Sequence, residues 1–299
     1  MIPVQRTRLD VLAVSVMLVL CSLWGIQQVA SKVALSQGIP PILQAVLRSM
    51  LAGPLLLLWI AFRTGRPGLL RLFASDGSVW PGLLSGLIFA VEFILLFTGV
   101  QRTSASHAVV LLFTGGFFTA AGAHLLLPNE RLRAAQAAGL VLAFIGAAIT
   151  VGQGAGPATL GGDLLILACA ACWGLTTVLV KANPALRACP AEKVLAYQLF
   201  GALPILAVAA LLAGEVHVPT ATPLAWASLV FQGAVIAFAS YLAWFWLIAR
   251  YPVGRLAAFS LLTPLFGVAA AALLLGDPVT PMLLAALLLV CAGLWLVNR

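Results

Sequence analysis

LWGIQQVASK (residues 23–32) returns as CWGLTTVLVK (residues 172–181), with Trp24-Gly25 and Trp173-Gly174 149 residues apart and Lys32 and Lys181 at the same separation. Both stretches lie inside runs that are otherwise apolar. Working outward, residues 93–128 align with residues 241–276 at an offset of 148, so that Arg102 meets Arg250 and Phe118 meets Phe266. At an offset of 147, Gly146 meets Gly293. Matches in one order at nearly one offset describe two related halves, residues 1–152 and 153–299.

The 299 residues are 63% hydrophobic and 8% charged, with a mean hydropathy of +1.13. A soluble domain carries about 25% charged residues, so the chain belongs in a bilayer. Apolar runs predict ten spans: 11–35, 41–62, 79–100, 105–127, 133–152, 163–183, 192–213, 224–249, 254–275 and 279–297. Each is long enough for a hydrocarbon core of about 30 Å. The first span lacks a cleavage site and reads as a retained helix. A β-barrel would show short alternating segments instead.

The net charge of +8 does not describe a nucleic-acid binder, because the basic residues are scattered singly. Thirteen of the sixteen Lys and Arg fall on the side of the termini: Arg6, Arg8, Arg63, Arg66, Arg71, Arg131, Arg133, Lys181, Arg187, Lys193, Arg250, Arg255 and Arg299. Arg102 lies opposite, and Lys32 and Arg48 lie within spans. This bias predicts a multi-pass protein with both termini cytoplasmic, and a bacterial inner membrane is the expected location. Five spans per half invert the second half relative to the first. Inverted repeats are a transporter architecture, with the substrate held near mid-membrane between the halves.

Trp-Gly followed by Lys in spans 1 and 6, Thr263-Pro264 in span 9 and the acidic turns at Glu130 and Asp277 resemble the EamA family of the drug/metabolite transporter superfamily. The resemblance covers nearly the whole chain as two EamA units. It implies an all-α integral membrane fold, ten helices around a central cavity lined by spans 1, 3, 4, 6, 8 and 9. Within the family the pattern is similar to the YddG-type aromatic amino-acid exporters. One departure is Gly115-Gly116, which stands where the second half has Thr263-Pro264.

Polar residues inside spans are costly and usually face a partner or a wet cavity. Trp24, Gln28 and Ser31/Lys32 share one face of span 1, as Trp173, Thr177 and Lys181 share one face of span 6. The two lysines could equally snorkel to the headgroups. Of Gln27 and Gln28, at least one is expected to face the interior. Arg48 and Glu92 lie at matching depths and are expected to pair. That pair reads either as a structural ion pair or as a functional one, with Glu92 coupling protons or accepting a substrate ammonium. At the repeat offsets Arg48 meets Tyr197 and Glu92 meets Ser240, beside Tyr241. The cavity is therefore expected to be charged on its outer side and aromatic on its inner side, lined by Trp24, Gln28, Arg48, Glu92, Trp173, Thr177, Tyr197, Tyr241 and Trp244. Gly115, Gly116 and Pro264 are expected hinges, with close helix packing as the alternative. His107, His124 and His217 read as solvated or interfacial.

Cys169-x-x-Cys172 falls mid-span with no second pair and reads as small apolar filler. No phosphate-binding loop, hydrolase elbow or zinc motif is present, so no enzyme activity, metal or cofactor is expected. A channel is the lesser alternative, since no charged ring or filter-like loop appears. The reading is a secondary transporter exporting small amphipathic metabolites, amino acids above all, by alternating access. A metabolite or multidrug exporter driven by proton exchange is the alternative. The expected partners are a small-molecule substrate, the lipid bilayer and, for the exchange mode, protons, with the oligomeric state left open.

Overall fold

A computed structural model describes residues 10–74, 76–126, 133–151, 157–217, 222–248, 251 and 262–297. Arg6, Arg8, Glu130, Arg131, Arg250, Arg255 and Arg299 lie outside the described residues.

The elements are helical throughout the described residues. They are α1 (Val11–Ser36), α2 (Pro41–Leu72), α3 (Val79–Arg102), α4 (Ala105–Leu112), α5 (Gly115–Leu126), α6 (Ala134–Thr150), α7 (Pro157–Ala182), α8 (Pro184–Ala188) and α9 (Ala191–Leu212). After them come α10 (Pro223–Val230), a π-helical segment (Phe231–Ser240), α11 (Tyr241–Ile248), α12 (Leu262–Leu275) and α13 (Pro281–Val297). Among the described residues, seven helical stretches are long and apolar enough to cross a membrane. Three shorter apolar helices, Ala134–Thr150, Leu262–Leu275 and Pro281–Leu296, occupy the places of the remaining expected spans. Phe62, Phe73, Trp80, Leu212 and Leu273 are each more than 80% exposed, as side chains that meet lipid rather than water.

Local chemistry sets the helix ends. The Asp10 side chain accepts from Ala13 N at 2.8 Å and caps α1. Ser104 and Thr222 cap α4 and α10 in the same way, and Pro41 and Pro223 occupy first-turn positions that need no N–H donor. α2 runs ten residues past its expected span 41–62, and two other expected spans are interrupted. Gly65, at φ 64° and ψ −161°, bends α2 sharply, a conformation that glycine adopts without a Cβ clash. The span 105–127 is two helices, broken at Phe113-Thr114. The span 224–249 contains ten π-helical residues, whose i→i+5 bonding is rare and concentrates at functional sites.

Close helix crossings use glycine, and they come in exchanged pairs. A Cβ on Gly146 would lie 2.8 Å from Ala286 O, and one on Gly293 would lie 2.5 Å from Gly139 O. Both 146/293 and 139/286 are 147 residues apart. A Cβ on Gly25 would meet Gly267 N at 2.7 Å, and one on Gly174 would meet Thr119 N at 2.8 Å. Gly86 closes on Tyr197 O as Gly233 closes on Arg48 O. Each contact therefore recurs with the two halves exchanged.

Carboxylates also hold the starts of α2 and α9. Glu215, after α9, accepts from Ile42 N and Leu43 N at 2.6 and 3.1 Å. Asp76, after α2, accepts from Lys193 Nζ at 2.8 Å. A carboxylate at a helix N-terminus satisfies orphan N–H groups and the helix dipole. The Lys193 ammonium, and after it Ser78, hold the Asp76 carboxyl well below the usual carboxylate range. A lowered folded-state value favours folding above the ordinary value of about 4 and is lost as pH falls toward the folded value. Acidifying below about pH 4 is thus expected to lower the melting temperature of the wild type more steeply than that of Asp76→Asn. Parallel curves in a detergent unfolding series would refute this.

Candidate functional site

Arg48 and Glu92 are 3% and 8% exposed. Arg48 lies seven residues into α2, about 10 Å along it, and Glu92 ten residues from the end of α3, about 15 Å. The expected ion pair is not formed. The Arg48 guanidinium instead lies over the Phe93 ring, 4.1 Å from its centroid, and faces Tyr241. Glu92, one residue before Phe93 on α3, is also an electrostatic neighbour of Cys169 and Cys172 of α7. The two charges remain electrostatic neighbours, and Arg48 Nη2 is buried without a hydrogen-bond partner.

On α1, Gln27 and Gln28 are 6% and 1% exposed, so both face inward. Gln27 Nε2 and Oε1 and Gln28 Oε1 have no partner. Next to them a buried amide chain crosses helices. Gln232 Nε2 donates to Gln44 Oε1 at 3.2 Å, Gln44 Nε2 to Ile39 O at 3.2 Å, and Ser228 Oγ to Ala30 O at 2.5 Å. Gln232 Oε1 is left unpaired. Trp24 Nε1 donates to Ser240 Oγ at 2.9 Å, and its ring packs edge-on against Trp244, with centroids 5.7 Å apart. These contacts join α1 to the π segment and α11. Between α1 and the π segment runs an apolar groove of about 310 Å³, walled by Val16, Leu23, Val235, Ala239 and Ser240.

The expected lining residues on α7 and α9 do not join this group. Trp173 is 38% exposed and packs on Phe113 and against Gly115. Thr177 donates to its own helix at Trp173 O, 3.0 Å away. The buried threonine is Thr176, whose hydroxyl has no partner. Tyr197 lies near the start of α9, and its hydroxyl is 2.8 Å from Ser78 Oγ at the α2–α3 turn, where Lys193 stands over its ring. That end of α9 meets the turn, so Tyr197 is held there and not beside Arg48. Lys32 is half-buried, with Asp277 as its electrostatic neighbour.

The helix break at Phe113-Thr114 directly precedes Gly115 and Gly116. Thr114 Oγ1 donates back to Leu111 O at 2.6 Å. Pro264 falls in the first turn of α12, and residues 252–261 before it lie outside the described residues.

Residue pattern alone does not find His107 and Asp163. His107 is 8% and Asp163 0% exposed, with His107 Nδ1 3.2 Å from Asp163 Oδ2. Thr103 Oγ1 donates to the same carboxylate. His107 is therefore a buried, partnered imidazole and not a solvated one. The available signal is an acid at the start of an apolar run.

The family model described as "EamA-like transporter family" matches residues 11–152 and again 160–299. A "Probable amino-acid metabolite efflux pump" of Salmonella typhimurium is 32% identical, covering 91% of this chain and 90% of its own. A protein of the same name in Escherichia coli is 30% identical, covering 91% and 90%. One crystal structure superposes with a TM-score of 0.66 over 95% of this chain and 96% of its own. At 20% identity it speaks for the fold alone.

Proposed function

Because the chain belongs to the EamA-like transporter family, a family of multi-pass membrane carriers and not of enzymes, we propose that it exports amino acids and similar amphipathic metabolites by alternating access. The observation that carries this reading is the pair of buried ionisable side chains, Arg48 and Glu92, that form no salt bridge with each other. A buried charge costs several kcal/mol unless paired, roughly. A zwitterionic amino acid brings both missing partners, its carboxylate to Arg48 and its ammonium to Glu92. Gln27, Gln28 and Gln232 offer further unpaired amide atoms on α1 and the π segment. Trp24, Trp244, Tyr241 and the groove beside α1 suit an apolar or aromatic side chain, in keeping with the YddG-type resemblance. The efflux pumps named above point the same way.

The architecture proposed is ten spans in two inverted five-helix halves, residues 1–152 and 153–299. The exchanged glycine contacts and the twofold family match support it. The positive-inside bias supports an inner-membrane location with cytoplasmic termini. Gly115 and Gly116, beside the break in the α4–α5 span, and Pro264 are the proposed hinges. A zwitterion carries no net charge, so a membrane potential worth about 2.3 kcal/mol per charge per 100 mV does not drive it unless a proton moves too. Downhill export suffices when the internal concentration is high, and proton exchange is the second mode.

Purified protein in liposomes, assayed across a panel of amino acids with and without a pH gradient, tests the reading. Saturable efflux with countertransport supports a carrier. Absence of flux for every amino acid refutes the substrate class, and non-saturable flux refutes the carrier. In the same vesicles Gly116→Leu, with its Cβ already 3.0 Å from Leu294, is expected to slow exchange without weakening substrate binding. Wild-type rates would remove the hinge.

A further inference from the structure

Two carboxylates tie one half of the chain to the other at opposite ends of the molecule. At one end Thr103, the C-cap of α3, donates its hydroxyl to Asp163 on α7, which also faces His107. The start of α4 is held there a second time, by Ser106 N donating to Asp277 Oδ2 at 2.9 Å. At the other end the Tyr251 hydroxyl lies 2.9 Å from each oxygen of Asp10. Val29 of α1 packs with Ala105 at the Thr103 end. At 1.5 Å per residue about 28 Å of α1 separates Val29 from Asp10.

The donors of these two contacts are equivalent in the repeat, whereas the acceptors Asp163 and Asp10, 153 residues apart, stand about one helical turn out of register. Thr103 and Tyr251 are 148 residues apart, the offset that aligns their surroundings. Asp163 lies near the start of α7, and Asp10 caps α1, the helix that carries the matching Trp-Gly pair. The packing beneath them is related too. Gly99 meets Ile166 and Gly162 at the Thr103 end, whereas Leu247, Met17 and Ala13 cluster beneath Tyr251. Each of these residues has its repeat equivalent in the other cluster. Hydroxyl-to-carboxylate bonds with an ionised acceptor are stronger than neutral ones, and more so in a low-dielectric interior.

We infer that the two carboxylates are latches for opposite faces. Thr103–Asp163 holds one face shut, Tyr251–Asp10 holds the other, and each lets go only when its own face opens. Asp163 and Asp10 are positioning residues, which act on the substrate path through the helices they join. The inference rests on the alternating-access reading proposed above. In that reading one half rocks against the other, so loosening one end tightens the far end. Simple structural cross-links have no such reciprocity.

Hydrogen–deuterium exchange of the full-length protein in lipid nanodiscs tests it, reading residues 100–112 and residues 11–20. Asp163→Asn is expected to speed exchange at 100–112 by about tenfold or more, the effect of losing a charge-assisted bond, and to slow it at 11–20. Tyr251→Phe is expected to do the reverse. Thr103→Ser, which keeps the hydroxyl, should behave as wild type. If Asp163→Asn does not purify folded, Thr103→Val removes the donor instead and is read at the same two segments. Faster exchange confined to the mutated end, or faster exchange at both ends, overturns the latches. Wild-type efflux decides the carrier reading separately. Efflux with uncoupled ends discards the latches alone, and absence of efflux discards the carrier whatever the exchange shows.

Discussion

Arg48→Gln is expected to cut amino-acid efflux from reconstituted vesicles by about a hundredfold, and Glu92→Gln by a comparable factor. Removing one partner of a buried charge interaction costs about 2–5 kcal/mol, and about 1.4 kcal/mol corresponds to tenfold. The informative comparison uses analogues that lack one charge. A carboxylate without an ammonium should lose its transport in Arg48→Gln and keep it in Glu92→Gln. An amine without a carboxylate should show the opposite pattern. Wild-type efflux in both variants would leave the two charges with a structural role only. Equal loss for every analogue in both variants would argue against separate subsites for the two ends of a zwitterion.

Gly146→Leu and Gly293→Leu are expected to be the most damaging substitutions for stability. Each new Cβ would stand 2.8 or 2.5 Å from a backbone carbonyl oxygen, Ala286 O or Gly139 O. A flexible side chain could move aside, but a helix backbone moves only with the whole helix. Overpacking costs about 1–3 kcal/mol in ordinary cores, and the upper end is expected here. For a chain of this size that corresponds to a melting-temperature loss of roughly 5–10 °C. Gly161→Leu is the control, because nothing lies within 4 Å of its Cβ. Because the two crossings are exchanged copies, both damaging variants should lose about equally in a detergent melting series. Tolerance at one site alone would mean that the two crossings are not equivalent.

Much of the helix pattern is legible in residue order. Long apolar runs have no alternative to the helix in a bilayer, since every backbone group needs an internal partner. The glycine pair 146/293 is visible as a repeat match, although not that each member abuts the other half's backbone. Helix interruptions are less legible. The break at Phe113-Thr114 and the π turns of 231–240 occur in runs as apolar as their neighbours. Hydropathy reports whether a segment is buried in lipid, and not which hydrogen-bond ladder it uses.

The candidate site separates the two kinds of information further. Burial of Arg48, Glu92 and at least one of the two glutamines follows from composition, because a polar side chain in hydrocarbon is driven inward. Their partners do not follow. Equal depth suggested a salt bridge, but rotation about the α3 axis put Phe93 under the guanidinium. Tyr197 shares a repeat position with Arg48 and yet serves the α2–α3 turn.

By itself, then, the order of residues determined a membrane-embedded helical chain in two related halves and a few of the polar groups buried within it, Arg48 and Glu92 above all. Only the tertiary structure found the other buried polar groups and decided which ones meet, placing His107 with Asp163, Tyr251 with Asp10 and Trp24 with Ser240. The reason is physical. Hydrophobicity is a property of each segment and can be read locally, whereas a hydrogen bond depends on the rotation and register of two helices. Those are set by close contacts such as Gly146 on Ala286, between residues far apart in the chain.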